Sequence, residues 1–182
     1  MSEIRHVLDF WMAPASRPLW FKKDAAFDEG VRRFEAVHER AAAGRLAPWQ
    51  NTPEGALALL LCLDQFPRNM YRGTPRAFAT DEKARRVADW AVDRGFDMSF
   101  KDEQMRFFFY LPFEHSEDLD DQHRAGELVR QRCPSDPEIL RYAILHREVI
   151  EKFGRFPHRN AILGRRNTPD EDEYLKQPGA GF

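Results

Sequence analysis

Four pairs of residues along the chain have the form of a helix start: Thr52-Pro53, Thr74-Pro75, Asp136-Pro137 and Thr168-Pro169. In each pair the Thr or Asp side chain can accept a hydrogen bond at the N-cap. The proline then stands at the first helical position, where its missing N–H leaves nothing unpaired. Alternating runs of β-branched residues, which are typical of strands, are nearly absent. The sequence therefore predicts an all-α fold.

The spacing of the helix signals predicts how the helices are arranged. Short loops between successive helices favour antiparallel helix pairs, stacked as an array. Residues 56–63 are all apolar, and a helix that is apolar on every side must be surrounded by other helices. No Gly/Ser linker and no block of like charges divides the chain, so we predict one domain, 1–182, with a frayed tail at 176–182.

Composition excludes several classes of partner. The formal net charge is −2, which gives no overall attraction to nucleic acid or to an anionic membrane. No apolar stretch approaches the ~20 residues of a membrane span, and the N-terminus lacks a signal-peptide pattern. The two cysteines lack metal-type spacing and are typical of a reduced protein. We expect a cytoplasmic protein with no metal and no cofactor, either monomer or homodimer.

A short motif occurs twice and marks the candidate site. Residues 64–69 read Asp-Gln-Phe-Pro-Arg-Asn, and residues 155–160 read Arg-Phe-Pro-His-Arg-Asn. In each, the Phe is expected to anchor in the core and the Pro to end the preceding helix, which fixes the direction of the Arg-Asn pair. Arg and Asn donors suit a phosphate or a carboxylate. The two turns could therefore converge on one polar pocket.

Histidines add hydrogen-bonding groups to this pocket. His115 follows Glu114 in a constrained turn, His146 lies on an apolar helix face, and His158 lies in the second Phe-Pro turn. The predicted ligand-binding residues are Arg68, Asn69, His146, Arg159 and Asn160, and the candidate catalytic residues are His115, His158 and Glu114. In that arrangement a histidine is the general base and Glu114 orients it.

Structural roles are an open alternative for the same residues. A histidine on an apolar helix face, such as His146, is commonly a core residue whose hydrogen bonds are satisfied. Each arginine could cap helix carbonyls or pair with a carboxylate such as Asp64. Glu114 and His115 could simply stabilise their turn.

Several segments together resemble a known family. They are Leu-Asp-Gln-Phe-Pro-Arg-Asn at 63–69, Leu-Pro-Phe-Glu-His-Ser at 111–116, His-Arg at 146–147 and Gly-Arg-Phe-Pro-His-Arg-Asn at 154–160. In this order they resemble the bacterial domain-of-unknown-function 924 family, along almost the whole chain. The resemblance implies an all-α fold similar to a tetratricopeptide-repeat superhelix. Its repeats would be degenerate, because the chain has no clean repeat of ~34 residues. It implies no established activity.

Two functions are open at this point. The first is a binding module whose polar pocket takes a small anionic molecule or a partner peptide. The alternative is a small-molecule hydrolase, in which a histidine is the general base and arginines stabilise developing negative charge. The sequence leaves open whether the protein is an enzyme, what its ligand is, and whether the two Phe-Pro turns are functional or only structural.

Overall fold

The computed structural model describes residues 2–181, and no strand occurs among them. The fold of this part of the chain is all-α, as predicted. The outer limits of the predicted domain, residues 1 and 182, and the last residue of the predicted tail lie outside the described residues. None of the helices in the described part has the length and apolar character needed to cross a lipid bilayer.

Within residues 2–181 the α-helices are α1 (Glu3–Trp11), α2 (Ala25–Arg32), α3 (Glu35–Ala42), α4 (Pro53–Leu60), α5 (Phe66–Met70), α6 (Asp81–Asp93), α7 (Glu103–Phe107), α8 (Leu111–Glu114), α9 (Leu119–Arg132), α10 (Pro137–Phe153) and α11 (Pro169–Leu175). Short 3₁₀ helices cover Arg17–Leu19, Ala47–Asn51, Pro75–Phe78, Asp97–Ser99 and Pro157–Arg159. A π-helical turn, Leu61–Gln65, joins α4 to α5.

Three of the four predicted helix starts are capped as expected. The side chains of Thr52, Asp136 and Thr168 accept hydrogen bonds from backbone N–H groups in the first turns of α4, α10 and α11. Thr168 and Glu171 form a complete capping box. Thr74 differs, because it precedes a 3₁₀ helix and its hydroxyl donates to the carbonyl of Tyr71.

The apolar run at 56–63 lies at the centre of the fold. Every residue in it is buried, and α4 packs against α1, α6 and the 3₁₀ helix Ala47–Asn51. Beside it, the Trp11 ring lies 5.6 Å from Phe66 and 5.8 Å from Phe108, centroid to centroid. This apolar core fixes α4, α6 and α8 relative to one another.

Helical conformation is interrupted between α2 and α3. The Arg33 side chain donates from Nε to the carbonyl of Gly30 at 3.0 Å. In a continuous α-helix that carbonyl would accept from the N–H of Phe34. The Phe34 N–H instead bonds to Val31, one residue closer, at 2.9 Å.

The prediction that Pro67 ends its helix is also wrong. Helical conformation runs from Pro53 through the π-helical turn to Met70. Pro67 has no N–H to offer the preceding turn, but distant side chains bond to the carbonyls there. His38 Nδ1 lies 2.8 Å from the carbonyl of Cys62, and the Thr80 hydroxyl donates to the carbonyl of Leu63. The second Phe-Pro step does follow a helix end: α10 stops before Gly154, whose φ of 67° is left-handed.

Candidate functional site

A pocket of ≈ 340 Å³ opens between the start of α6, the turn after α8 and the 3₁₀ helix Pro157–Arg159. Its ionisable and polar lining is Asp81, Glu82, Arg85, His115, Ser116, Glu117 and Arg159. Its apolar lining is Pro75, Phe78, Ala79, Pro112 and Leu163. This volume suits a small molecule. A second pocket of ≈ 460 Å³, near the end of α10, contains none of the predicted site residues.

Arg159 is buried at the wall of this pocket and is incompletely paired. Its side chain is 8% exposed, and Nη1 donates to the backbone carbonyl of His115 at 3.0 Å. The guanidinium carbon lies 4.8 Å from the ring centroid of Phe78 and 4.4 Å from that of Phe156. Among the described residues, the nearest carboxylate oxygen is Asp81 Oδ2 at 3.8 Å, and Nε has no hydrogen-bond partner.

Arg68, by contrast, is neutralised by two carboxylates. Its Nη1 and Nη2 donate to the two oxygens of Asp81 at 2.8 and 2.9 Å, and Nη1 lies 3.2 Å from Asp64 Oδ1. Burial, and then the positive charge of Arg68, lower the pKa of Arg159 to about 10. The two Phe-Pro turns therefore hold one arginine that is paired with two carboxylates and one that lacks a close anion.

His115 lines the pocket and is held from behind by Asp64. Its Nδ1 lies 2.8 Å from Asp64 Oδ1, and its side chain is 14% exposed. Burial opposes ionisation of Asp64, but Arg68 and His115 outweigh it and lower the pKa of this carboxyl to about 2. Burial, and then the charge of Arg68, lower the pKa of His115 below its ordinary value, although Asp64 acts in the opposite direction. The arrangement is a neutral imidazole bonded to an ionised carboxylate.

Glu114 lies behind the pocket and faces His146, not His115. His146 Nδ1 is 2.9 Å from the carbonyl of Tyr142 and 3.0 Å from Glu114 Oε1, so Nδ1 carries a proton that both oxygens accept. Burial, and then the charge of Asp64, raise the pKa of Glu114 to about 8. Burial lowers the pKa of His146 to about 3. We expected Glu114 to orient His115, but the structure places Asp64 in that position.

The remaining predicted residues lie away from the pocket lining. Asn69 donates to Asp28 on α2 at 2.7 Å. Asn160 is fully buried and bonds to Asn167 and Arg165 at 2.8 Å each. The His158 ring lies 5.6 Å from Phe156, and burial, and then Arg159, lower its pKa to about 4.

Other lining residues were missed by sequence reasoning. Asp81 is the first residue of α6, and Phe78 ends a 3₁₀ helix. Carboxylates in a first turn are ordinary, so Asp81 gave no signal of a site. Glu117 also gave no signal of a site, because other acidic residues stand beside it at the start of a helix. In the structure Glu117 pairs with Arg165 at 2.7 Å and accepts from the N–H of Phe156, which fixes the second Phe-Pro turn against the segment that precedes α9.

The described residues include no group of three or more His, Cys, Asp or Glu side chains that could hold a metal ion. The chemistry that the site itself offers is a buried cation, an oriented neutral imidazole and an aromatic wall.

Comparison with known proteins found two similarities. The family model described as "Bacterial protein of unknown function (DUF924)" matches residues 7–179. The solved "Structure of Protein of Unknown Function ATU0120 from Agrobacterium tumefaciens" is 47% identical in sequence, with a TM-score of 0.90, and the match covers 96% of this chain and 97% of that chain. No curated protein matches the chain.

Proposed function

We propose that this chain, which belongs to the bacterial DUF924 family of unknown function, binds a small anionic molecule on Arg159 in its pocket. The observation that carries the proposal is the state of this guanidinium. It is buried at the pocket wall, its nearest carboxylate oxygen among the described residues is 3.8 Å away, and its Nε is unpaired. A buried cation without a close counterion is costly. An anionic group would remove that cost.

The surroundings of Arg159 favour a small molecule over a peptide. The pocket holds ≈ 340 Å³, which is near the lower end of small-molecule sites. Phe78 supplies an apolar wall beside the guanidinium, and such walls exclude water and strengthen a charge-assisted hydrogen bond. We therefore place the ligand's carboxylate or phosphate at Arg159 and its apolar part against Phe78.

The test uses inorganic phosphate and succinate as probes, with sodium chloride at equal ionic strength as the blank. We expect either anion to raise the midpoint of thermal unfolding, because ligand at about 100 times its Kd adds about 2.7 kcal/mol to the folded state. Arg159→Met should abolish the rise. Arg45→Met is the matched control, since Arg45 is exposed and lies outside the pocket lining. An equal rise in Arg159→Met, or no rise in the wild type, would refute the proposal.

A second candidate is a small-molecule hydrolase, and the contact between His115 and Asp64 favours it. A neutral histidine whose Nδ1 is bonded to a carboxylate is a common arrangement for a general base. Arg159 would then stabilise negative charge on the bound substrate. A panel of small phosphate monoesters and carboxylate-bearing esters tests this candidate. Any turnover should fall at least about 100-fold in His115→Gln, which is the usual contribution of a general base.

We also propose that the helices stack as antiparallel pairs in a tetratricopeptide-repeat-like array within one domain. Support comes from α9 and α10, which are joined by residues 133–136 and pack against each other. A single cooperative unfolding transition and the interhelical angles of an experimental structure test this arrangement. A cytoplasmic location, and the choice between monomer and homodimer, stay predictions.

A further inference from the structure

We propose that Asp64 is a positioning residue that holds the Nδ1–H of His115, so that Nε2 of the ring faces the pocket and can take a proton from water. The substrate would be a small ester that also carries an anionic group. This inference deepens the proposed function, because Arg159 would hold that anionic group next to His115. It gives a specific role to a residue that lies behind the pocket.

The contact between the two residues defines the state of the imidazole. Asp64 Oδ1 lies 2.8 Å from His115 Nδ1, and an ionised carboxylate can only accept, so Nδ1 carries the proton. The lone pair of the neutral ring is then on Nε2. Among the described residues, Nε2 has no hydrogen-bond partner, and His115 forms part of the pocket lining.

Asp64 is itself held in place from other sides. It is 1% exposed, Gln65 Nε2 donates to Oδ2, and Arg68 Nη1 lies 3.2 Å from Oδ1. Asp64 stands in the π-helical turn that precedes Pro67. Single π-helical turns occur frequently at functional sites, and here the turn carries the carboxylate to the ring of His115. In another rotamer the side chain would lose these partners.

The Ser116 hydroxyl in the pocket lining and the two thiols of the chain are occupied or buried. The Ser116 hydroxyl accepts from Arg85 at 2.9 Å and from the N–H of Asp118 at 3.2 Å. Cys62 and Cys133 are both buried, and burial raises the pKa of each thiol. Among the residues that line the described pocket, His115 is the one histidine, and its Nε2 is the ring nitrogen that carries the lone pair.

The reaction that this geometry allows is hydrolysis. A water oxygen bonds to the electrophilic carbon or phosphorus of the ester while Nε2 takes one water proton. The bond to the leaving oxygen then breaks, and that oxygen receives the proton from Nε2. Ester and water give an acid and an alcohol. Asp64 stays ionised throughout and offsets the positive charge on the ring.

NMR of the full chain with ¹⁵N-labelled histidine tests the role of Asp64 directly. We expect His115, assigned by its absence in His115→Gln, to be neutral at pH 7 with the proton on Nδ1. In Asp64→Asn the preference for Nδ1–H should be lost, and the pKa of His115 should fall by about one pH unit or more, because a nearby opposite charge is removed. Asp81→Asn is the matched control for the tautomer, since the charge of Asp81 also raises the pKa of His115. It also takes a carboxylate from Arg68, but it leaves the contact between Asp64 and His115 intact.

A chemical probe separates this inference from the anion pocket. Diethyl pyrocarbonate reacts with unprotonated imidazole nitrogens, and mass spectrometry locates the product. We expect His115 to react in the wild type and in Asp81→Asn, more slowly in Asp64→Asn, and to be protected by inorganic phosphate. Arg159→Met should still react but should lose the protection.

The outcomes are distinct. An Nε2–H tautomer in the wild type, or equal reactivity in Asp64→Asn, overturns the inference. If phosphate does not protect His115 from the reagent in the wild type, but the Nδ1–H tautomer is present, the proposed anion pocket is overturned and the oriented imidazole is still supported. If Asp64→Asn fails to fold, the wild-type tautomer alone decides.

Discussion

Replacing Arg159 with methionine should leave the folded protein at least as stable as the wild type. Methionine keeps the apolar stem of the side chain and removes the buried charge. Most substitutions at buried positions destabilise a protein by about 1 kcal/mol or more. An unchanged or higher stability of Arg159→Met is therefore informative. It is the result expected when an arginine serves ligand binding and not the stability of the fold.

The magnitude follows from the contacts of the guanidinium. Its pKa is lowered to about 10 by burial and by Arg68. At about 1.4 kcal/mol per pH unit, this drop from the ordinary value costs the charged form about 3 kcal/mol in the folded state. Methionine loses the hydrogen bond to the His115 carbonyl, worth about 1 kcal/mol, and two contacts with aromatic rings, worth about 0.5–1 kcal/mol each. We therefore expect the free energy of unfolding of Arg159→Met to exceed that of the wild type by about 0–1 kcal/mol.

Urea unfolding at pH 7, followed by circular dichroism, measures this difference, and Arg165→Met is the comparison. Arg165 donates to both oxygens of Glu117 and to Asn160. Its replacement should cost about 2–3 kcal/mol, because it leaves the partly buried carboxylate of Glu117 without its counterion.

One result would refute the reasoning. Arg68 faces two carboxylates, and Arg159 could serve as the counterion of the second one, Asp81, across 3.8 Å. In that case Arg159→Met should lose about 2 kcal/mol or more, as Arg165→Met does. Such a loss of stability, without any change in phosphate binding, would show that Arg159 has a structural role and not a binding role.

Two further predictions concern groups behind the pocket. The pKa of Glu114 is about 8 in the folded protein, above its unfolded value, so the folded state holds the extra proton, and the stability that Glu114 contributes is lost as pH rises from about 4.3 to about 8. The buried histidines His146 and His158 act in the opposite direction below the ordinary histidine pKa of about 6.5, so the assay is urea unfolding between about pH 7 and 8. There the free energy of unfolding should fall less for Glu114→Gln than for the wild type, whereas the exposed control Glu148→Gln should match the wild type; equal slopes for all three proteins would contradict the assignment. Thr80→Val should lower the free energy of unfolding by about 1–3 kcal/mol, because the Leu63 carbonyl in the π-helical turn loses its donor. A loss below about 0.5 kcal/mol in the same assay would show that the turn does not need this bond.

Local chemistry explains what the sequence could predict. The caps at Thr52, Asp136 and Thr168 depend on residues within three positions of each other, and the structure contains all three. The apolar run at 56–63 predicts burial on every side because no face of such a helix tolerates water. Family membership was also visible, since it depends on several blocks in a fixed order.

Long-range partners explain what the sequence could not predict. Pro67 was expected to end a helix. That expectation holds only when no other group bonds to the backbone carbonyls that the missing N–H of proline leaves without a donor. His38 and Thr80, which are distant in sequence, bond to them. The pairing of Asp64 with His115 joins positions 51 residues apart, and any of the carboxylates near the motif could have been proposed instead. Glu114 was the nearest in sequence, but its backbone position directs it to His146.

The two Arg-Asn pairs consist of the same residue types, but their arginines have different roles. Both asparagines bond to structural partners, Asp28 and Asn167, so the motif places its amides in the scaffold in both copies. The arginines diverge because both nearby carboxylates, Asp64 and Asp81, bond to Arg68. Arg68 thereby helps to keep Asp64 ionised, as the proposed positioning of His115 requires, and it also draws Asp81 away from Arg159. In the proposed site the pairing of the first arginine is therefore the reason why the second one is available to a ligand.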